Sequence, residues 1–284
     1  MSPRVLEASD MAETENGLKK TLRPVDAVMI VVGNVVGVGI FTTTGFIAGD
    51  LPDARLIMAV WLFGGLLTLF GALSYGELGA AFPRAGGDYV YLREAYGPLA
   101  GFLVGWVGFF IINPGSIAAL ALGFVEYLLP LTVRDPGAVS PTAAKAVAVS
   151  VILLFTVVNL LSVRWASRAQ NLVCGLSLLT MILMLGAGFL WGTGNWGHFH
   201  ARSDSASVGD LFGPAMISVF FTYSGWFVSA YVASEMKEPQ KTLPLSLIAG
   251  SILVTLLYTG MNLFYIYALP VSEMKGGGCR EARL

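Results

Sequence analysis

The chain has 284 residues, 55% hydrophobic and 12% charged, with 18 acidic against 17 basic side chains and a formal charge of -1. A typical soluble domain carries about 25% charged residues, so too little polar surface is left here for a water-soluble fold. With no concentrated basic face, nucleic acid is also excluded as a partner. The composition describes an all-α integral membrane protein whose surroundings are a lipid bilayer.

Residues 1–24 are polar and mixed in charge, with no short apolar core before a small-residue cleavage site, so they read as a tail rather than a signal peptide. Seven apolar stretches follow, at residues 25–48, 56–82, 98–129, 143–161, 170–191, 211–234 and 243–269. Each reaches the about 20 residues needed to cross roughly 30 Å of hydrocarbon. The third is long enough to tilt or to include an interfacial turn.

Lys and Arg accumulate in cytoplasmic loops. With the N-terminus inside, Arg4, Lys19, Lys20, Arg23, Arg84, Arg93, Arg164, Arg168, Lys237 and Lys241 fall on the cytoplasmic side, and Arg55, Arg134, Lys145 and Arg202 fall outside. The expected location is therefore a plasma or inner membrane, crossed many times, with a cytoplasmic N-terminus. Residues 271–284 break this pattern, because Lys275, Arg280 and Arg283 would lie outside after the Gly276-Gly277-Gly278 run. A one-base shift of frame along Cys279-Arg280-Glu281-Ala282-Arg283 permits an ordinary apolar continuation, so a truncation by frameshift or sequencing error is expected.

Two apolar stretches are interrupted where a membrane helix ought to be continuous: at Gly37-Val38-Gly39 in the first and Tyr223-Ser224-Gly225-Trp226 in the sixth. An unpaired backbone group in hydrocarbon costs several kcal/mol, so broken helices occur only where the freed groups line a cavity or meet a ligand. Two breaks at matching places in an internal repeat point to a transporter's binding site. After the first break, the new half-helix offers free N–H groups and a positive dipole end, worth about 0.3 to 2 kcal/mol to an anion such as a carboxylate. Unwound carbonyls of residues 221–225 can accept from an ammonium group. Together the two breaks match a zwitterion.

Three stretches carry a resemblance: 26–41 (DAVMIVVGNVVGVGIF), 74–97 (SYGELGAAFPRAGGDYVYLREAYG) and 221–244 (FTYSGWFVSAYVASEMKEPQKTLP), with 113–127 and 164–170 fitting the same pattern. They resemble the amino acid-polyamine-organocation permeases, in particular the L-type amino acid transporter branch, over nearly the whole chain to about Lys275. The resemblance implies a LeuT-type inverted-repeat fold. The first repeat (residues 25–191, spans one to five) is complete and the second (211–270) is cut after span seven. It implies a substrate held by backbone: N–H groups of Val38 and Gly39 on the carboxylate, carbonyls of Val35, Phe221 and Ser224 on the amine, and the Phe221 ring as a lid. Gly37, Tyr223, Gly225 and Trp226 complete the candidate substrate-binding set. Two positions depart from the family. Val38 stands where many members carry a small hydroxyl residue, and Ser177 where several carry a lysine that replaces a sodium ion, so exchange against ion coupling stays open.

Spans one, three and six contain no Asp, Glu, Lys or Arg near their centres. A mid-membrane charge costs roughly 2.5 to 3.5 kcal/mol, so a charged substrate side chain would find no counter-ion, and neutral L-amino acids are favoured. Trp226, Phe227 and Ile111 are candidate apolar walls.

Other readings accompany each feature. Glycines in membrane helices also serve close packing, and Gly33, Gly37 and Gly39 alone read that way; the paired sixth-span break and the flanking matches favour a site. Asn113-Pro114 reads as a kink or a lining element, Glu77 as an interfacial carboxylate or a gate with Arg84 or Arg93, and Glu235 and Lys237 as loop or gate contacts. His198 and His200 read as an exposed loop before a metal site. No cofactor or metal is expected. Enzyme motifs such as G-x-S-x-G and H-E-x-x-H are absent. Cys174 lies in a span and Cys279 in the aberrant tail, so no disulfide-linked heavy subunit is expected, while a homo-oligomer is compatible. A non-transporting fragment or subunit of such a permease is the competing reading.

Overall fold

A chain segment in hydrocarbon must satisfy its own N–H and C=O groups, and each long apolar stretch here does so by coiling into helix. The computed structural model describes residues 20, 22–51, 53–133, 139–161, 163–200 and 208–274. The tail to Lys19, Arg134, Arg202, and everything from Lys275 onward lie outside them, as do the side chains of Arg164, Arg168 and His200.

In chain order the helices are α1 (Pro24–Val35), α2 (Gly39–Asp50), α3 (Ala54–Ala81), α4 (Asp88–Tyr96), α5 (Pro98–Val107), α6 (Asn113–Thr132), α7 (Pro141–Leu161), α8 (Val163–Trp191), α9 (Val208–Tyr223), α10 (Pro239–Ala268) and the single turn α11 (Val271–Met274). A π-helical turn at Gly108–Ile112 joins α5 to α6, and 3-10 helices occupy Trp196–His200 and Trp226–Glu235. Among the described residues six helical segments are long and apolar enough to cross a membrane, seven if the bent pair α1 and α2 is one span. This matches the seven expected stretches to within a few residues. Two features at and just before the third stretch were not given by hydropathy. Gly97, at φ 92, splits off α4. Pro114, which has no N–H to donate, follows a turn in which the Asn113 N–H reaches back five residues to Gly108.

The described residues fall into two units, each taken by itself: one from residues 1–87 and 174–284, the other from 88–173. The second holds α4 to α7, with a small cluster of Ala121, Val125 and Ala148 between α6 and α7. The first holds both interrupted spans and the main core, in which Trp61, Tyr223 and Tyr258 pack with ring centroids 5.0 to 5.8 Å apart. Its largest contact is α3 against α10. These run antiparallel, as two close approaches fix: Gly65 faces Thr255 and Gly76 faces Pro244, where a Cβ on Gly76 would lie 3.3 Å from the Pro244 Cα. Small residues that let backbones approach take the place of the hydrophobic drive that lipid removes. At the start of α3, Asp53 caps the helix by accepting from the Arg55 N–H at 2.7 Å.

A Cβ at Gly65 would collide with the Thr255 side chain and approach the Tyr223 hydroxyl at 3.0 Å. Gly65→Val is expected to destabilise the chain by about 1–3 kcal/mol through overpacking. Gly213→Ala, whose new Cβ meets open space, is expected to leave stability unchanged or raise it; thermal unfolding of both variants in detergent checks this.

Candidate functional site

α1 stops at Val35 and α2 starts at Gly39, turning the first span by 41°. Val36 leaves the helix at φ -72, ψ 98. The first N–H groups of any helix lack intrahelical partners, and no side chain caps α2. One of the early N–H groups, that of Phe41, donates to the Val38 carbonyl at 3.0 Å.

The sixth span breaks over fewer residues than the sequence suggested. Phe221 and Tyr223 are still inside α9, Ser224 and Gly225 form the turn, and Trp226 opens the 3-10 helix. Gly225 sits at φ 98, a left-handed conformation that costs a residue with a Cβ, and a Cβ there would also lie 2.7 Å from the Asn34 Nδ2. The Ser224 N–H donates to the Phe221 carbonyl and the Val228 N–H to the Gly225 carbonyl, each at 3.2 Å.

The two breaks face each other across a set of hydrogen bonds, buried except for that between Asn34 and Gly225. The Tyr258 hydroxyl on α10 donates to the Val35 carbonyl at 2.8 Å, with the Thr222 carbonyl 3.4 Å away. The Asn34 amide donates to the Gly225 carbonyl at 3.2 Å. Thr43 and Thr222 share a hydrogen bond at 2.8 Å, and Thr44 donates to Asn262 at 2.6 Å. A Cβ on Gly39 would lie 2.9 Å from Thr222, so glycine is what lets α2 close on α9. Residues 27–49, 212–234 and 242–268, which build these surroundings, contain no Asp, Glu, Lys or Arg.

Compared with known protein families, residues 22–279 match Amino acid permease. The chain belongs to the amino acid permease family. It is 36% identical over 266 residues to the human Asc-type amino acid transporter 1, covering 90% of this chain and 50% of the relative. It is 33% identical over 265 residues to the serine/threonine exchanger SteT of Bacillus subtilis, covering 93% and 58%. To the rabbit large neutral amino acids transporter small subunit 2 it is 35% identical over 280 residues, covering 94% and 52%. It thus spans about half the length of the relatives it matches. With its apolar helices, this makes it a multi-pass membrane protein.

Within this permease-family chain the expected site residues divide into two groups. Gly37, Val38, Phe221 and Ser224 are exposed, and Gly39, Gly225 and Trp226 half-buried, around the facing breaks. The side chain of Tyr223, in contrast, is buried in the core and its hydroxyl donates to the Trp61 carbonyl at 3.3 Å, so only its backbone belongs to the break. Trp226 packs on α3, against Gly71 and 5.0 Å from the Tyr75 ring, with Phe227 beside it. Ile111 and Asn113-Pro114 belong to the other unit. Ser177 is half-buried on α8, and three residues earlier Cys174 lies against α1, its Sγ 2.8 Å from where a Gly33 Cβ would be. The His198 Nδ1 is 3.0 Å from the Ile266 carbonyl. Among the described residues no group of three or more His, Cys, Asp or Glu could hold a metal. The Glu235 carbonyl and Lys237 N–H are engaged by Leu22.

Tyr258 and Asn34 escaped the sequence reading, though a signal was present. Ser251, Thr255, Tyr258 and Asn262 recur at steps of four, three and four in the seventh span, a polar stripe on one helix face, and polar groups inside a membrane are retained for function. Removing the hydroxyl in Tyr258→Phe leaves the buried Val35 carbonyl without its donor. The expected loss of stability is about 1–3 kcal/mol, read as a lower melting temperature, with Tyr265→Phe as the comparison.

Proposed function

We propose that the chain serves amino acid transport by alternating access, with a neutral L-amino acid held as its zwitterion between the broken first and sixth spans. The observation that carries this reading is that the two interruptions face each other, joined by Asn34 on Gly225 and bridged by Tyr258 on Val35, and leave the start of α2 without a side-chain cap. The Val38 and Gly39 N–H groups, at the positive end of the α2 dipole, suit the carboxylate. Carbonyls at the ends of α1 and α9, those of Val35, Phe221 and Ser224, suit the ammonium; Val35 and Phe221 each already accept one hydrogen bond and a carbonyl oxygen has a second lone pair. Gly37 and Gly225 shape the two turns, Phe221 covers the solute, and Trp226 with Phe227 bounds its side chain. The absence of charged residues from these segments favours neutral substrates, and the Bacillus relative is named for exchange of serine and threonine, both neutral.

By the same reading, residues 25–191 and 211–270 belong to two inverted repeats, the N-terminus is cytoplasmic, and the protein sits in the cell membrane. The first unit holds spans one, two, six and seven together with residues 174–191 of span five.

The test is binding of radiolabelled leucine or alanine to the purified 284-residue chain in nanodiscs, with flux measured separately in liposomes. Unlabelled neutral amino acids are expected to compete, whereas arginine, glutamate, amino acid methyl esters and N-acetylated forms fail. Full competition by arginine removes the selectivity argument, and full competition by the esters removes the carboxylate contact.

A further inference from the structure

We propose that His198 is a positioning residue for span seven: it supplies the hydrogen-bond donor that Pro270 withholds, in a cap that the ends of spans five and seven share. The last carbonyls of any α-helix lack intrahelical partners, and the end of α10 adds to the shortage. The usual partner of the Ile266 carbonyl is the N–H four residues on, and Pro270 has none. Leu269, extended at φ -136 and ψ 140, carries the chain out of the helix before residue 271 could serve Tyr267. Both carbonyls are met from the loop between spans five and six. The His198 Nδ1 lies 3.0 Å from the Ile266 carbonyl, and the Asn195 N–H donates to the Tyr267 carbonyl at 2.9 Å. A carbonyl only accepts, so a ring proton of His198 sits on Nδ1.

The loop is shaped for that place. The Asn195 side chain accepts from the Gly197 N–H at 2.7 Å and its carbonyl from the His198 N–H at 3.2 Å, which starts the 3-10 turn carrying His198. A Cβ on Gly194 would lie 2.5 Å from the Tyr267 ring, so glycine lets the loop lie flat on α10. Trp196 packs on Tyr267 with ring centroids 4.9 Å apart, and Phe199 packs against the main core. The help is mutual, because the Tyr267 hydroxyl donates to the Gly192 carbonyl at 3.2 Å, just past the end of α8. One turn inside Ile266 stands Asn262, whose side chain accepts from Thr44 at 2.6 Å. Fraying of α10 past Ile266 would therefore reach the residue that ties α2 to span seven.

The cap does not depend on the transport reading and is measured without substrate, by hydrogen exchange on the full 284-residue chain in nanodiscs. His198→Ala is expected to raise exchange in both residues 193–199 and residues 263–269, about three- to tenfold for one hydrogen bond. His198→Asn, which keeps an amide donor near the reach of Nδ1, is expected to match the parent. Pro270→Ala restores an N–H at position 270 and lets α10 continue, so in that background His198→Ala is expected to change exchange little. Equal rises with and without Pro270, a rise confined to one segment, no rise in His198→Ala, or no recovery in His198→Asn overturns the proposal. Failure of the parent chain to bind leucine, with this exchange pattern intact, counts against the transport reading alone.

Discussion

One buried hydroxyl, that of Tyr258, holds the end of the first half-helix against the end of another almost two hundred residues later in the chain. Hydrocarbon offers broken backbone no water, and each unmet group costs several kcal/mol. The interruptions are therefore stable only as a pair, each supplying or sharing the partners the other lacks. Asn34 on the Gly225 carbonyl and Tyr258 on the Val35 carbonyl meet that requirement, and a side-chain hydrogen bond between Thr43 and Thr222 holds the two spans together beside them. What they leave without a side-chain cap is the start of α2, where the proposed solute would complete the set.

On the proposed function, such a site would read the part common to all amino acids, the ammonium and the carboxylate, through groups that every residue carries. Specificity then falls to the few side chains around it, which are apolar or neutral. Because no fixed charge has to be buried, the desolvation penalty of a mid-membrane ion never arises. The same economy explains the glycines at 39 and 225: one permits a close approach to Thr222, the other a left-handed turn. A side chain at either position would separate the two breaks.

The spans were legible because hydrocarbon thickness sets their length, and residues 25–269 carry that signal in plain apolar runs. The breaks were legible too, since Gly37, Gly39 and Gly225 interrupt otherwise continuous stretches. What joins the breaks was not. Asn34 and Gly225, or Thr44 and Asn262, lie far apart in sequence, and nothing in the local pattern of either span announces its partner. Tyr223 shows the same limit on a smaller scale: it stands beside Ser224 in sequence, but the helical phase sends its ring into the core beside Trp61. The pairing of Leu22 with Met236 had no strand pattern to give it away.

The most direct measurement is a structure of the chain in nanodiscs with a bound neutral amino acid such as leucine. The account predicts its carboxylate within hydrogen-bond distance of the Val38 and Gly39 N–H groups, and its ammonium on the carbonyls that end α1 and α9. Density for the solute elsewhere in the molecule, or first and sixth spans running unbroken past Gly37 and Gly225, would contradict it.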